Sequence, residues 1–177
     1  MTRFQVLSRR PIHSWGGFAL ILETVRLPDG SEVDKHRLCH PGAVVILPRF
    51  ADGSLLLLRQ YRHAIGADLL EFPAGTLGPG EPPEAAAGRE LTEETGWTAS
   101  QWTELGQLHP APGFCNEIQT CFLAQSLSAG EPAPEADELI VTLRMQPAEF
   151  EAEIAAGRVT DNKTLALYLR ARTLGLV

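Results

Sequence analysis

The chain has 177 residues, one domain's worth, with enough length to bury a sizeable core. Hydrophobic residues make up 44% and charged residues 21%, the balance of a globular chain and not of a disordered one. The net charge of −7, with no block of Lys or Arg, argues against nucleic-acid binding, and no apolar run nears the roughly 20 residues of a membrane span.

The opening Met1-Thr2-Arg3-Phe4 lacks the apolar core of a secretory signal, so the expected location is cytoplasmic. Cys39, Cys115 and Cys121 are odd in number and lack metal-type spacing, so reduced thiols are expected. Phe4–Ser8, Phe18–Val25 and Glu32–Cys39 read as short strands, with Pro28-Asp29-Gly30 as the clearest turn. Gly42–Leu47 and Leu55–Leu58 flank Ala51-Asp52-Gly53-Ser54 and read as a hairpin of buried strands. Leu69–Phe72 is another strand, leading to a bend at Pro73-Ala74-Gly75. Pro82 and Pro83 open a helix with an apolar seam at Ala87 and Leu91 and a stop at Gly96. Strands are expected at Trp102–Leu108, Ile118–Ala124 and Leu139–Met145, with a polar, proline-bearing loop over 128–137. A helix over Pro147–Ala156 and a final helix capped by Asp161 close the chain. The fold class is α/β: an α/β/α sandwich around a mixed sheet, with a small N-terminal β unit. The expected division is 1–40 and 41–177.

The chemistry concentrates in the first helix. Glu90, Glu93 and Glu94 stand at i, i+3 and i+4, within about a 100° arc. Like charges four apart cost roughly 0.2–0.5 kcal/mol, and carboxylates in a last turn oppose the helix dipole. The pattern describes either a solvated acidic face or an oxygen-lined cation site, and oxygen ligands suit Mg²⁺ or Mn²⁺ better than zinc. Gly75, Glu81, Arg89, Glu90, Glu93, Glu94 and Gly96 together match the Nudix box, Gly-x5-Glu-x7-Arg-Glu-U-x-Glu-Glu-x-Gly-U, with U a bulky apolar residue. Leu91 and Trp97 fill the two U positions.

Beyond the box, the chain resembles the ADP-ribose pyrophosphatase and nucleoside diphosphate sugar branch of the Nudix hydrolases. Arg59-Gln60-Tyr61-Arg62, Leu70-Glu71-Phe72-Pro73-Ala74-Gly75 and Ala111–Glu117 carry that resemblance, with Pro112 in the place that marks enzymes acting on ADP-ribose and related nucleotide sugars. The resemblance implies that Glu90, Glu94 and the Ala74 carbonyl hold the metal, Mg²⁺ or alternatively Mn²⁺. Glu93 and a loop glutamate, Glu138 with Glu135 in reserve, are implied for catalysis. It gives Gly75, Glu81, Arg89 and Gly96 structural roles, Glu81 pairing with Arg89. Arg62 and Glu117 are implied as substrate contacts, with Trp15 or Phe18 stacking on adenine and Arg37 reaching phosphate. The implied assembly is a homodimer. The implied reaction turns ADP-ribose into AMP and ribose 5-phosphate. The alternatives are a pyrophosphatase for GDP-mannose, UDP- or ADP-sugars, and a nucleotide sensor without hydrolysis.

Overall fold

Four consecutive apolar residues, Val44–Leu47, set the layers of the larger unit. They belong to strand β4 (Ala43–Pro48), in which every residue is buried. A strand points alternate side chains to opposite faces, so a strand buried on both faces must be covered twice. Val45 and Leu47 join one core with Phe72, Phe150, Leu167 and Tyr168; Val44 and Ile46 join another with Ala86, Ala87, Leu91 and Phe122. The first core lies under helices α2 (Pro147–Ala155) and α3 (Asn162–Thr173), the second under α1 (Pro83–Thr95). The result is an α/β/α sandwich.

The computed structural model describes residues 3–131 and 139–177. Its contacts divide into two units, one comprising the chain as far as Gly42 together with His109–Ile118, the other Ala43–Leu108 with Gln119–Val177. In the larger unit, a mixed sheet runs β7 (Ala74–Thr76), β4, β9 (Gln119–Ala129), β8 (Trp97–Leu108). Within it β4 and β9 are parallel and the other pairs antiparallel. A second sheet runs β10 (Ile140–Met145), β5 (Leu55–Arg62), β6 (Ala67–Glu71), all antiparallel.

The expected hairpin of 42–47 with 55–58 is corrected here. The turn forms, with Phe50 N–H donating to Ser54 O at 2.8 Å, but β4 and β5 share no ladder and enter different sheets. Both strands are buried on two faces, so their apolar runs carry no preference for a partner, and Pro48 has no N–H to extend a ladder. Strand β8 starts at Trp97, five residues earlier than expected, and β9 runs on to Ala129, into the expected loop.

The smaller unit is a sheet ordered β1 (Gln5–Trp15), β2 (Phe18–Arg26), β3 (Glu32–Cys39). Strand β1 is exposed along its whole length, so no hydrophobic alternation announced its far half. Gly16 and Gly17, with φ of 45° and 85°, turn it directly into β2 between the paired Trp15 and Phe18, a turn that needs positive φ at both positions. The segment 109–118 docks on β3 of the same unit. Leu38 N–H donates to Phe114 O at 2.8 Å, and Asn116 N–H donates to Leu38 O at 3.2 Å.

Candidate active site

Strand β7 brings the start of the box to the end of α1. It pairs with β4 through Val44–Gly75 and Val45–Ala74, and Ile46 N–H donates to Pro73 O at 2.8 Å. A Cβ built on Gly75 would overlap the Glu90 carboxylate, so only glycine lets the helix carboxylate lie against the strand backbone. One turn later, Glu94 Oε2 accepts the Ala74 N–H at 3.1 Å and is 3% exposed. Ala74, Glu90 and Glu94 are therefore drawn together by backbone geometry. Gly96, at φ 73°, caps the helix with its N–H on Thr92 O at 2.8 Å.

Arg89 supplies the counter-charge that the acidic turn needs. Its Nε and Nη2 fork onto the two oxygens of Glu81 at 2.9 and 3.0 Å. Its Nη1 donates to Glu90 Oε1 at 2.8 Å and to Glu93 Oε2 at 2.9 Å. The Arg89 guanidinium and the Gly78 N–H, at 2.8 Å, bring the Glu81 carboxyl down to about 2. Bonding to Glu81, then to Glu93 and Glu90, raises Arg89 above its ordinary value against the opposing pull of burial. Spacing along the helix revealed the repulsion among the glutamates, while the structure reveals that one arginine offsets part of it.

The donors fit a hard divalent cation in their chemistry: two half-buried or buried carboxylates and a neighbouring backbone carbonyl, all oxygen. The close seat of Glu90 on Gly75 holds one of these donors in place. Among the described residues, no three acidic, histidine or cysteine side chains converge as a metal cage. Glu90 and Glu93 close on Arg89, and Glu94 closes on Ala74.

Arg62 stands at the end of β5, and sequence reasoning missed its surroundings. Its Nε and Nη2 donate to Glu71 Oε1 and Oε2 at 2.9 and 2.7 Å. Glu71, at the end of β6, is fully buried and also takes the Lys163 ammonium from α3. Lys163 lies 3.0 Å from Asp161, which caps α3 by accepting the Thr164 N–H at 2.9 Å. Burial pushes the Glu71 carboxyl up, but Arg62 and Lys163 together bring it below its ordinary value. Arg62 also feels the charge of Glu94. A signal for Glu71 existed, since one carboxylate inside Leu69-Leu70-Glu71-Phe72 marks a charge that a buried strand must pair. Lys163 carried none.

In the smaller unit, Trp15 and Phe18 stack with ring centroids 5.6 Å apart, and Phe18 meets His40 edge-on at 4.8 Å. Glu117 Oε1 lies 3.9 Å from His40 Nε2, which continues this line of side chains. Arg37 stands on β3 and donates through Nη2 to Glu23 at 3.0 Å, an acid that Arg9 also grips at 2.9 Å. Glu135 and Glu138 lie outside the described residues.

Comparison with known proteins bears on the family and the fold. A model of the Nudix domain matches residues 39–168. The ADP-ribose pyrophosphatase of Mycobacterium tuberculosis is 37% identical over 177 residues, covering 97% of this chain and 86% of that protein. The ADP-ribose pyrophosphatase of Bacillus subtilis is 38% identical over 134 residues, covering 76% of this chain and 72% of that protein. A crystal structure of an ADP compounds hydrolase superposes with a TM-score of 0.86 at 23% identity, covering 100% of this chain and 98% of its own, which bears on the fold. With every fixed position of the box present and most of the chain matched, the protein belongs to the Nudix hydrolase family.

Proposed function

We propose that the chain hydrolyses the pyrophosphate bond of ADP-ribose to AMP and ribose 5-phosphate, with Mg²⁺ bound by Glu90, Glu94 and the Ala74 carbonyl. The observation that carries this reading is the junction of β7 and α1, where those three residues are drawn together beside a clamped arginine. Two relatives over 35% identical bear the name of that activity. A divalent ion held by these oxygens would neutralise the diphosphate and lower the pKa of a bound water by several units. Water adds its oxygen to one phosphorus, the bridging oxygen leaves with the other phosphate, and a carboxylate takes the proton.

The chain's own residues do the rest. Glu93, 40% exposed in its side chain and tethered to Arg89, is the described candidate for the proton; Glu138 and Glu135 are the loop candidates. Arg62 meets the non-bridging phosphate oxygens. Trp15 or Phe18 stacks on the adenine, and Arg37 and Glu117 contact the rest of the substrate. Gly75, Glu81, Arg89 and Gly96 keep the loop and helix in register. The working protein is a cytoplasmic homodimer. The test is kcat/KM for ADP-ribose against GDP-mannose, UDP- and other ADP-sugars with Mg²⁺ and with Mn²⁺, the products identified. A preference of at least about tenfold for ADP-ribose is expected, which corresponds to about 1.4 kcal/mol in the transition state. A flat profile would replace this reading with that of a general nucleotide-sugar pyrophosphatase.

A further inference from the structure

Glu71 is a costly residue where it stands. A carboxylate taken fully out of water loses several kcal/mol of hydration, and a well-packed apolar residue of similar size serves stability as well or better. Its presence in the apolar end of β6 therefore calls for a reason beyond stability. The geometry names what it holds. Register places Leu58 opposite Glu71 and Ala67 opposite Arg62, so Arg62 and Glu71 leave the sheet on one face, four residues apart along the strand. The Arg62 side chain must lie back along that face to make its two-pronged bond. A guanidinium gripped at Nε and Nη2 cannot rotate, and its Nη1 amino group has no acceptor among the described residues. Lys163 bonds the same Glu71 Oε2 that takes Arg62 Nη2, and is itself fixed by Asp161 at the start of α3.

We propose that Glu71, braced by Lys163, is a positioning residue that locks Arg62 with its Nη1 edge presented to substrate phosphate. This rests on the function proposed above. Arg62 also stands within the electrostatic reach of Glu94. Two charges of each sign, Arg62 and Lys163 with Glu71 and Asp161, make the assembly neutral before substrate arrives. Misplacing a substrate-orienting group by about 1 Å can cost on the order of 100-fold in rate.

The experiment is a double-mutant cycle in kcat/KM for ADP-ribose. Glu71→Gln is expected to lower kcat/KM roughly 10–100-fold in the wild type and less than about threefold in an Arg62→Met background, because the lock then has nothing to hold. A purely structural Glu71 would lower the melting temperature and give the same fold-loss in both backgrounds. If Glu71→Gln does not fold, because Lys163 is left buried without its partner, Glu71→Gln/Lys163→Met removes that charge and takes its place in the cycle. Equal losses in both backgrounds, or no loss in either, would overturn the positioning role and leave the function standing. A wild type that turns over no ADP-ribose would overturn the function, and the positioning role with it.

Discussion

Glu94 is where the chemistry of single residues is most open to test. Its carboxylate both bonds the Ala74 N–H and belongs to the proposed metal ligands. Glutamine keeps an oxygen for that bond but loses the charge. Glu94→Gln is therefore expected to keep its circular dichroism while kcat falls by about 100-fold or more, as removal of one charge-stabilising group does. The same substitution tests cation binding without turnover. If Mg²⁺ is the ion held here, binding to the folded state alone should raise the wild-type melting temperature more than that of Glu94→Gln. Equal shifts would move the metal elsewhere. The residue pattern put Glu90, Glu93 and Glu94 on one side of the helix, since i, i+3 and i+4 spacing needs no tertiary information. It did not foretell that Arg89 would bridge Glu81, Glu90 and Glu93 at once.

At the scale of elements, two tethers hold the box in place. The first joins loop to helix through Glu81 and Arg89. Glu81 has a folded value of about 2 against an ordinary 4.5, so the fold favours its ionised form. The stability this contributes is complete above about pH 4.5 and disappears as pH falls toward about 2. Across that window the wild-type melting temperature should fall more steeply than that of Glu81→Gln. Parallel slopes would mean the clamp adds nothing. The second tether joins α3 to the strand before the box: Phe72 N–H donates to the buried Thr164 Oγ1 at 2.8 Å. Thr164→Val fits the same space but orphans that N–H, at a cost of about 1–3 kcal/mol measurable by urea unfolding. Helix boundaries were largely legible, because Pro82, Pro83, Gly96 and Asp161 are punctuation with a local mechanism. The partners of β4 and β5 were not, because strands buried on both faces lack the alternation that would orient them.

For the whole molecule, the exposed edge is the feature that matters most. Strand β1 lies at the edge of its sheet, with Val6, Leu7, Ile12 and Trp15 all more than a third exposed. Unpaired edges with apolar side chains invite another strand or a second copy, which fits the proposed homodimer. Ile12→Lys places a charge on that edge and is expected to shift sedimentation from dimer toward monomer. A wild type that sediments as a monomer at micromolar concentration would remove the dimer from the account. The two cores lie on opposite faces of β4, and their residues were visible as apolar runs although their assignment to a layer was not.

By itself the sequence determined the acidic helix, its cap and the loop that precedes it, because each depends on residues a few positions apart. Tertiary structure alone decided that β4 runs beside β9, that 109–118 docks on β3, and that Glu71 receives a lysine 92 positions away. Those choices come from filling two-sided cores and neutralising a buried charge, and both draw on parts of the chain that no local spacing connects.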